Sequence, residues 1–299
     1  MSAPTSPAKR PTVAAPRRVS TSAPREALGD GVFATVDDAV DAAATAFREL
    51  DGMSLEGRQK IIASIRESMF ENAEELARLA HAETGLGRVE DKIIKNRLVT
   101  RKTSGTEVLT PQAVTGDSGL TLTEYAPYGV IGAITPTTNP TSTIICNTIA
   151  MVSAGNSIVF NVHPNARECS MANVRLLHHA ITRAGGPANL VTAVATPTIE
   201  SAQQLMGHEG VRILAVTGGS GVVRQAMTSG KRAICAGPGN PPVVVDATAD
   251  LELAARKIIA GASFDNNIVC VDEKEVIAVE SIVDDLIQHM GRHGARVLN

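Results

Sequence analysis

Four segments of the chain carry residue types from which chemistry could be built. The first is Asn266-Asn267-Ile268-Val269-Cys270, predicted to form a loop between a helix and a strand, where a side chain can face a cleft. A cysteine nucleophile needs access and some thiolate character, which backbone N–H groups or a positive helix end can supply. A lone cysteine is usually a small core hydrophobe, so loop position by itself leaves both roles open. The second segment, Ile134-Thr135-Pro136-Thr137-Thr138-Asn139-Pro140, follows a predicted strand and enters a helix. Its prolines fix the backbone and aim Asn139 into the strand-end crevice, where an amide N–H could hold an oxyanion. The same asparagine could simply make a turn and cap the helix.

The third segment, Asn161-Val162-His163-Pro164-Asn165, sits at the next strand end and suits contacts to a nucleotide ribose or phosphate, although His163 alone equally fits a surface residue. The fourth, Val216-Thr217-Gly218-Gly219-Ser220-Gly221-Val222-Val223, is a Gly-rich turn from strand to helix. Glycines let the backbone approach a phosphate, and the helix N-terminus adds partial positive charge. The spacing is not GxGxxG, so a plain tight turn explains it as well.

The elements that must position these loops follow a regular pattern from residue 130 onward. Short β-branched runs at 130–134, 157–162, 190–194, 212–216 and 243–245 alternate with helical stretches at about 141–152, 167–183, 199–206 and 222–229. Fully apolar strands separated by helices imply an α/β, doubly wound parallel sheet covered on both faces, with ligands at the carboxyl ends of its strands. Before it, Thr35 with Asp38 three residues on signals a helix start. Further helices are predicted from near Ser54, carrying Ile61, Ile62, Ile65 and Met69, and from about Asn72 to Thr84, stopped by Gly85 and Gly87. Alternation through Thr121, Thr123 and Tyr125 predicts a β-hairpin within 108–128. After 245, a helix (251–262), a strand (275–279) and a helix (282–289) open a second α/β domain that the sequence leaves incomplete. Residues 1–30, rich in Pro, Ser, Ala and Arg, read as a disordered basic tail. A transit peptide or an encapsulation leader is disfavoured there by the prolines and by the missing i, i+3, i+4 stripe.

Composition narrows the function classes. An apolar fraction of 43% and a charged fraction of 20% are ordinary for a globular protein. Aromatics are only 2% and the net charge is −3, which argues against a base-stacking surface or a polyanion partner, hence no nucleic acid. Cys146, Cys169, Cys235 and Cys270 form no CxxC pair and have no matching histidine spacing, so no metal site or disulfide is expected and a reducing cytoplasm suits the chain. No apolar run reaches the ~18 residues of a membrane span. The basic N-terminus has no apolar stretch behind it, so no secretory leader is expected. Cys146, Cys169 and Cys235 are assigned to packing, the last in a buried-looking run. Adjacent His178 and His179 face different sides of a helix, and Lys231 with Arg232 reads as a solvated loop.

Taken in order, the four segments resemble the aldehyde dehydrogenase superfamily over roughly residues 35–299. Pro127-Tyr128-Gly129-Val130, Ile134-Thr135-Pro136 and Asn139-Pro140 are similar to its PxGVxxxITPxxxP signature, Thr217-Gly218-Gly219 to its TGS/TGG nicotinamide loop, and Cys270 falls at the family's nucleophile. The resemblance implies an aldehyde dehydrogenase fold, Rossmann-like, with Cys270 and Asn139 catalytic. It places NAD against Thr135, Pro136, Thr137, His163, Pro164, Thr217, Gly218, Gly219, Val222 and Gly237.

The departures refine it. Hydrolytic members carry ELGGKxP, whose Glu activates water; the equivalent run here is Ala236-Gly237-Pro238-Gly239-Asn240-Pro241-Pro242. Ala236 stands 34 residues (270 − 236) before Cys270, as the family's Glu does, and alanine cannot take a proton. The lysine of the family's KPS loop is His163. With Glu273 and Lys274 in the run after Cys270, these features resemble the CoA-acylating branch, which includes acetaldehyde and propionaldehyde dehydrogenases of bacterial microcompartments. Implied are oxidation of a small aldehyde with NAD, coenzyme A as co-substrate, a homo-oligomer joined through the hairpin, and location in the cytoplasm or a microcompartment, with its shell as partner. The family continues well past the nucleophile, so the sequence reads as a C-terminally truncated member whose own activity is an open question. A hydrolytic or semialdehyde dehydrogenase, or an inactive subunit that binds NAD or a sibling chain, is the competing reading.

Overall fold

The computed structural model describes residues 28–298. The expected tail therefore lies outside the described residues except for residues 28–30. Strand β1 (Val32–Phe33) leads into α1 (Val36–Asp51), which starts where its cap predicts: the Thr35 hydroxyl accepts the Asp38 N–H, and Val36, Ala39, Val40 and Ala43 are buried. Helix α2 (Leu55–Glu71) is capped by Ser54 and buries Ile61, Ile62, Ile65 and Met69. Helix α3 (Ala73–Thr84) stops at Gly85, whose φ of 67° is one that glycine adopts without strain.

The next helix, α4 (Val89–Lys102), has no counterpart in the sequence expectations. Its buried face is Asp91, Lys92, Lys95, Asn96 and Thr100, whereas Ile94 and Leu98 are exposed. Polarity is inverted relative to an ordinary amphipathic helix, so an apolar stripe could not reveal it. The remaining signal is at its ends, where Glu90 and Asp91 in the first turn and Arg101 and Lys102 in the last complement the helix dipole. Strands β2 (Gln112–Gly116) and β3 (Gly119–Thr123) then form the expected antiparallel hairpin, with every residue exposed.

From here strand and helix alternate: β4 (Val130–Ile134), α5 (Pro140–Ser153), β5 (Ser157–Asn161), α6 (Arg167–Arg183), β6 (Val191–Val194), α7 (Ile199–Gly207), β7 (Val211–Thr217), α8 (Ser220–Met227) and β8 (Arg232–Ala236). The six strands pair in parallel in the order β1-β6-β5-β4-β7-β8. On β5, Ile158 and Phe160 pack with Ile61, Ile145 and Leu177, while Val159 joins Val40 and Leu205 on the opposite face. Both faces are covered, which is why these strands read as unbroken apolar runs. Phe160 is fully buried, and Phe160→Ala is expected to cost about 3–5 kcal/mol of stability. Chemical denaturation checks it, and a loss below ~1 kcal/mol would contradict this packing.

Two strands escaped the sequence reading and one is reassigned. β1 has only two residues, and β8 is an edge strand whose alternation is half-exposed, so Cys235 is not in a buried run. Arg232, read as loop, begins that strand. The apolar run at 243–245 predicts a further strand of the doubly wound sheet, but β9 (Pro242–Val245) pairs in parallel with β10 (Glu275–Ala278) in a separate sheet. Pro238, Pro241 and Pro242 lack the N–H that would continue the first ladder. With α9 (Leu251–Ala262) and α10 (Val283–Arg292), this pair builds its own small core around Val245, Ala255, Ile258 and Leu286.

Candidate active site

Strand order reverses direction between β4 and β7, since β5 and β6 lie to one side and β8 to the other. Ligands of open parallel sheets bind at such a switch point. A cleft of about 630 Å³ opens there, and every site residue singled out in the sequence lines it, from Thr135 to Cys270. The Asn161–Asn165 turn, Thr198, Ile199, Pro238, Gly239 and Lys274 complete the wall.

Asn139 occupies the N-cap position of α5, but its side chain makes no capping hydrogen bond. Instead Oδ1 accepts from the Lys95 ammonium at 2.6 Å, and Nδ2 donates to Thr138 Oγ1 at 3.1 Å. An ammonium only donates, so the carboxamide oxygen must face Lys95 and the NH₂ must face away.

The Cys270 loop leaves α9 through three successive residues with positive φ: Asp265 (45°), Asn266 (56°) and Asn267 (59°). Asp and Asn are the non-glycine residues that best tolerate this region, so the local sequence suits the reversal. The turn is tied down from both sides. Asp265, fully buried, accepts the Arg88 N–H at 2.7 Å and pairs with the ammoniums of Lys95 and, at 3.4 Å, Lys92. Its own N–H donates to Asp91 at 2.9 Å. Further along, the Lys274 ammonium holds Asn267 Oδ1 at 2.7 Å and the Val269 carbonyl at 3.3 Å, and Asp272 accepts the Val269 N–H. A Cβ on Gly87 would overlap the Asp265 carboxylate, and one on Gly239 would overlap the Cys270 carbonyl. Burial pushes the Lys95 ammonium below the usual lysine range against the pull of Asp265, and pushes the Asp272 carboxyl up.

None of Lys92, Lys95, Asp91 and Asp265 was found from sequence. Charged residues buried on one helix face leave no apolar periodicity, and their partner stands about 170 positions away. The other loops behave more simply. His163 Nδ1 accepts the Asn165 N–H at 3.1 Å, bracing its own turn, and burial lowers the pKa of the ring. Gly219 precedes α8 without a side chain to block that helix's first N–H groups. Thr135 Oγ1 is buried with no partner among the described residues.

Of the four cysteines, Cys270 lines the cleft; Cys146 and Cys235 are half-buried elsewhere, and Cys169 is fully buried with its thiol pushed well above the usual range, first by desolvation. No carboxylate lines the cleft among the described residues, and position 236 ends β8 as alanine.

The profile of the aldehyde dehydrogenase family matches residues 22–297. The chain belongs to the aldehyde dehydrogenase family. Among the relatives of this aldehyde dehydrogenase chain, the acetaldehyde dehydrogenase (acetylating) of Bilophila wadsworthia is 52% identical over 288 residues, covering 96% of this chain and 59% of its own. The propanal dehydrogenase (CoA-propanoylating) of Salmonella typhimurium is 46% identical over 276 residues, covering 92% and 60%. The chain thus spans about 60% of the length of these curated relatives. Its fold superposes on Rhodopseudomonas palustris propionaldehyde dehydrogenase with bound propionyl-CoA at a TM-score of 0.87 and 50% identity, over 91% of this chain and 60% of that one. The propionaldehyde dehydrogenase of the Clostridium phytofermentans fucose utilisation bacterial microcompartment gives 0.87 at 48% identity, over 91% and 62%.

Proposed function

We propose that this aldehyde dehydrogenase is CoA-acylating: it converts a small aldehyde, of the acetaldehyde or propionaldehyde class, to the acyl-CoA through a thioester on Cys270. The observation that carries this reading is a cleft with one cysteine and no carboxylate. The relatives named above, two of them named for acyl transfer and one solved with propionyl-CoA, support it.

The cleft fits a dinucleotide. Its volume of about 630 Å³ lies in the usual range for small-molecule sites, roughly 300–1,000 Å³. Thr135 Oγ1 lacks a partner that a ligand could supply, and the N-terminus of α8 behind Gly218 and Gly219 suits a phosphate. NAD bound between the β4, β5 and β7 loops would supply the hydride acceptor.

The chain's own residues do the rest. The Cys270 thiolate bonds to the aldehyde carbon, and the oxygen that becomes negative is held by the Asn139 N–H and the Cys270 backbone N–H. Once the carbon is oxidised, Cys270 carries the acyl group. With Ala236 in place of a base, water is not activated. A thiol needs less help, so coenzyme A takes the acyl group and Cys270 leaves as thiolate.

NADH formation from propanal is expected to turn over steadily only when CoA is present, with about one equivalent per chain formed without it. Equal steady rates with and without CoA would indicate hydrolysis and overturn the proposal. The exposed hairpin, with Val114, Leu120 and Leu122 open to solvent, is marginal on two strands alone and serves in this reading as the contact to a further copy of the chain. The catalytic unit begins at β9. No described helix is long and apolar enough to cross a membrane; the microcompartment named for one structural relative motivates a location in the cytoplasm or inside such a compartment.

A further inference from the structure

The reaction above uses Asn139 and Cys270 but gives no task to the buried charges on α4. An asparagine amide turns over by half a rotation with little change in shape, exchanging two donors for an acceptor. An acceptor turned toward a developing oxyanion would repel it, so an oxyanion donor built from asparagine needs something to select one orientation. We propose that Lys95 is that positioning residue: its ammonium grips Asn139 Oδ1, turns the Nδ2 donors toward the cleft, and is itself registered to the nucleophile loop by Asp265.

The geometry is specific. Lys95 Nζ stands 2.6 Å from Asn139 Oδ1 and also pairs with Asp265, five positions before Cys270 in the chain. The Lys95 side chain is 9% exposed and the Asp265 side chain 0%, so water does not compete for either. A flipped Asn139 would set its NH₂ against an ammonium. Lys92 braces the neighbouring residue, donating to the Thr138 carbonyl and to Asp265, both at 3.4 Å. Thr138 Oγ1 takes one Nδ2 hydrogen, which leaves the second for the reacting oxygen. One carboxylate therefore connects the donor and nucleophile loops through the same ammonium.

The inference rests on Cys270 being the nucleophile, and two probes of that thiol separate the claims. In acylation by p-nitrophenyl propionate, sulfur bonds to the carbonyl carbon, an oxyanion forms, and p-nitrophenolate departs with the C–O electron pair. In alkylation by iodoacetamide the same sulfur displaces iodide and no oxyanion forms. Lys95→Met is expected to slow acylation roughly 10²-fold, the scale of one lost oxyanion donor, while alkylation changes less than about twofold. Asn139→Ala should match it, and the double variant should be no slower than Asn139→Ala. Parallel loss of acylation and alkylation, or additive losses in the double variant, would overturn the positioning role. If Cys270 in the unsubstituted chain is not acylated, the proposed function fails instead, and this inference with it. Should Lys95→Met not fold, Lys95→Gln replaces it, since its amide can still donate to Asp265. Its acylation-to-alkylation ratio is expected to fall about tenfold, and an unchanged ratio overturns the proposal.

Discussion

Cys270→Ala is expected to bring acyl transfer down to background, a loss on the order of 10⁴-fold or more, the scale on which removal of a covalent nucleophile acts. No other thiol can replace it. Cys169 is fully buried, and its Sγ is turned to the Ala166 carbonyl at 3.4 Å. Cys146 lies on α5 and Cys235 on β8, and neither lines the cleft. Cys270→Ser should be nearly as inactive, because a hydroxyl without a neighbouring base ionises far less readily than a thiol. Neither change disturbs the β4, β5 and β7 loops, so NAD binding, followed by quenching of the dinucleotide's fluorescence in the NADH form, should stay within about twofold. Activity that survives Cys270→Ala would remove the covalent step from the mechanism.

The second large effect is expected at Asn139, where replacement by alanine should lower kcat by ~10²–10³. Pro140 at the first turn of α5 fixes the backbone independently of the side chain, so the loss should fall on turnover with little change in apparent affinity for NAD. Alanine would also leave the Lys95 ammonium without one of its acceptors, in a place where Asp265 still balances its charge. A modest drop in stability is therefore expected beside the large drop in rate. If KM for the aldehyde rose while kcat held, Asn139 would be binding the ground state and would not be an oxyanion donor.

How far the sequence foretold these features depended on distance along the chain. Caps are local, so Thr35, Ser54 and Gly85 set helix ends where their residue types predict. Helices α6 and α9 likewise run between the expected residues. The cleft loops after β4, β5 and β7 were readable because each sits at the carboxyl end of a strand that apolar composition reveals. The partner of a strand is another matter. Val243-Val244-Val245 reads as a strand in any context, and nothing local says that it pairs with Glu275–Ala278. Helix α4 was hidden because what it buries is charge, and the value of Lys95 becomes visible only when Asp265, 170 positions away, folds beside it. Polar interiors satisfy themselves pairwise through space, and that leaves no period in the sequence.

In the proposed reaction an acyl group rests on one sulfur and moves to a second thiol in preference to water. Peptide mass mapping of the purified chain after incubation with propionyl-CoA tests it most directly. A propionyl group is expected on the peptide containing Cys270, with free CoA released; the label should persist in buffer and be lost when excess CoA is added. A label on Cys146, Cys169 or Cys235, no label at all, or loss from Cys270 as fast in plain buffer as with CoA would contradict it.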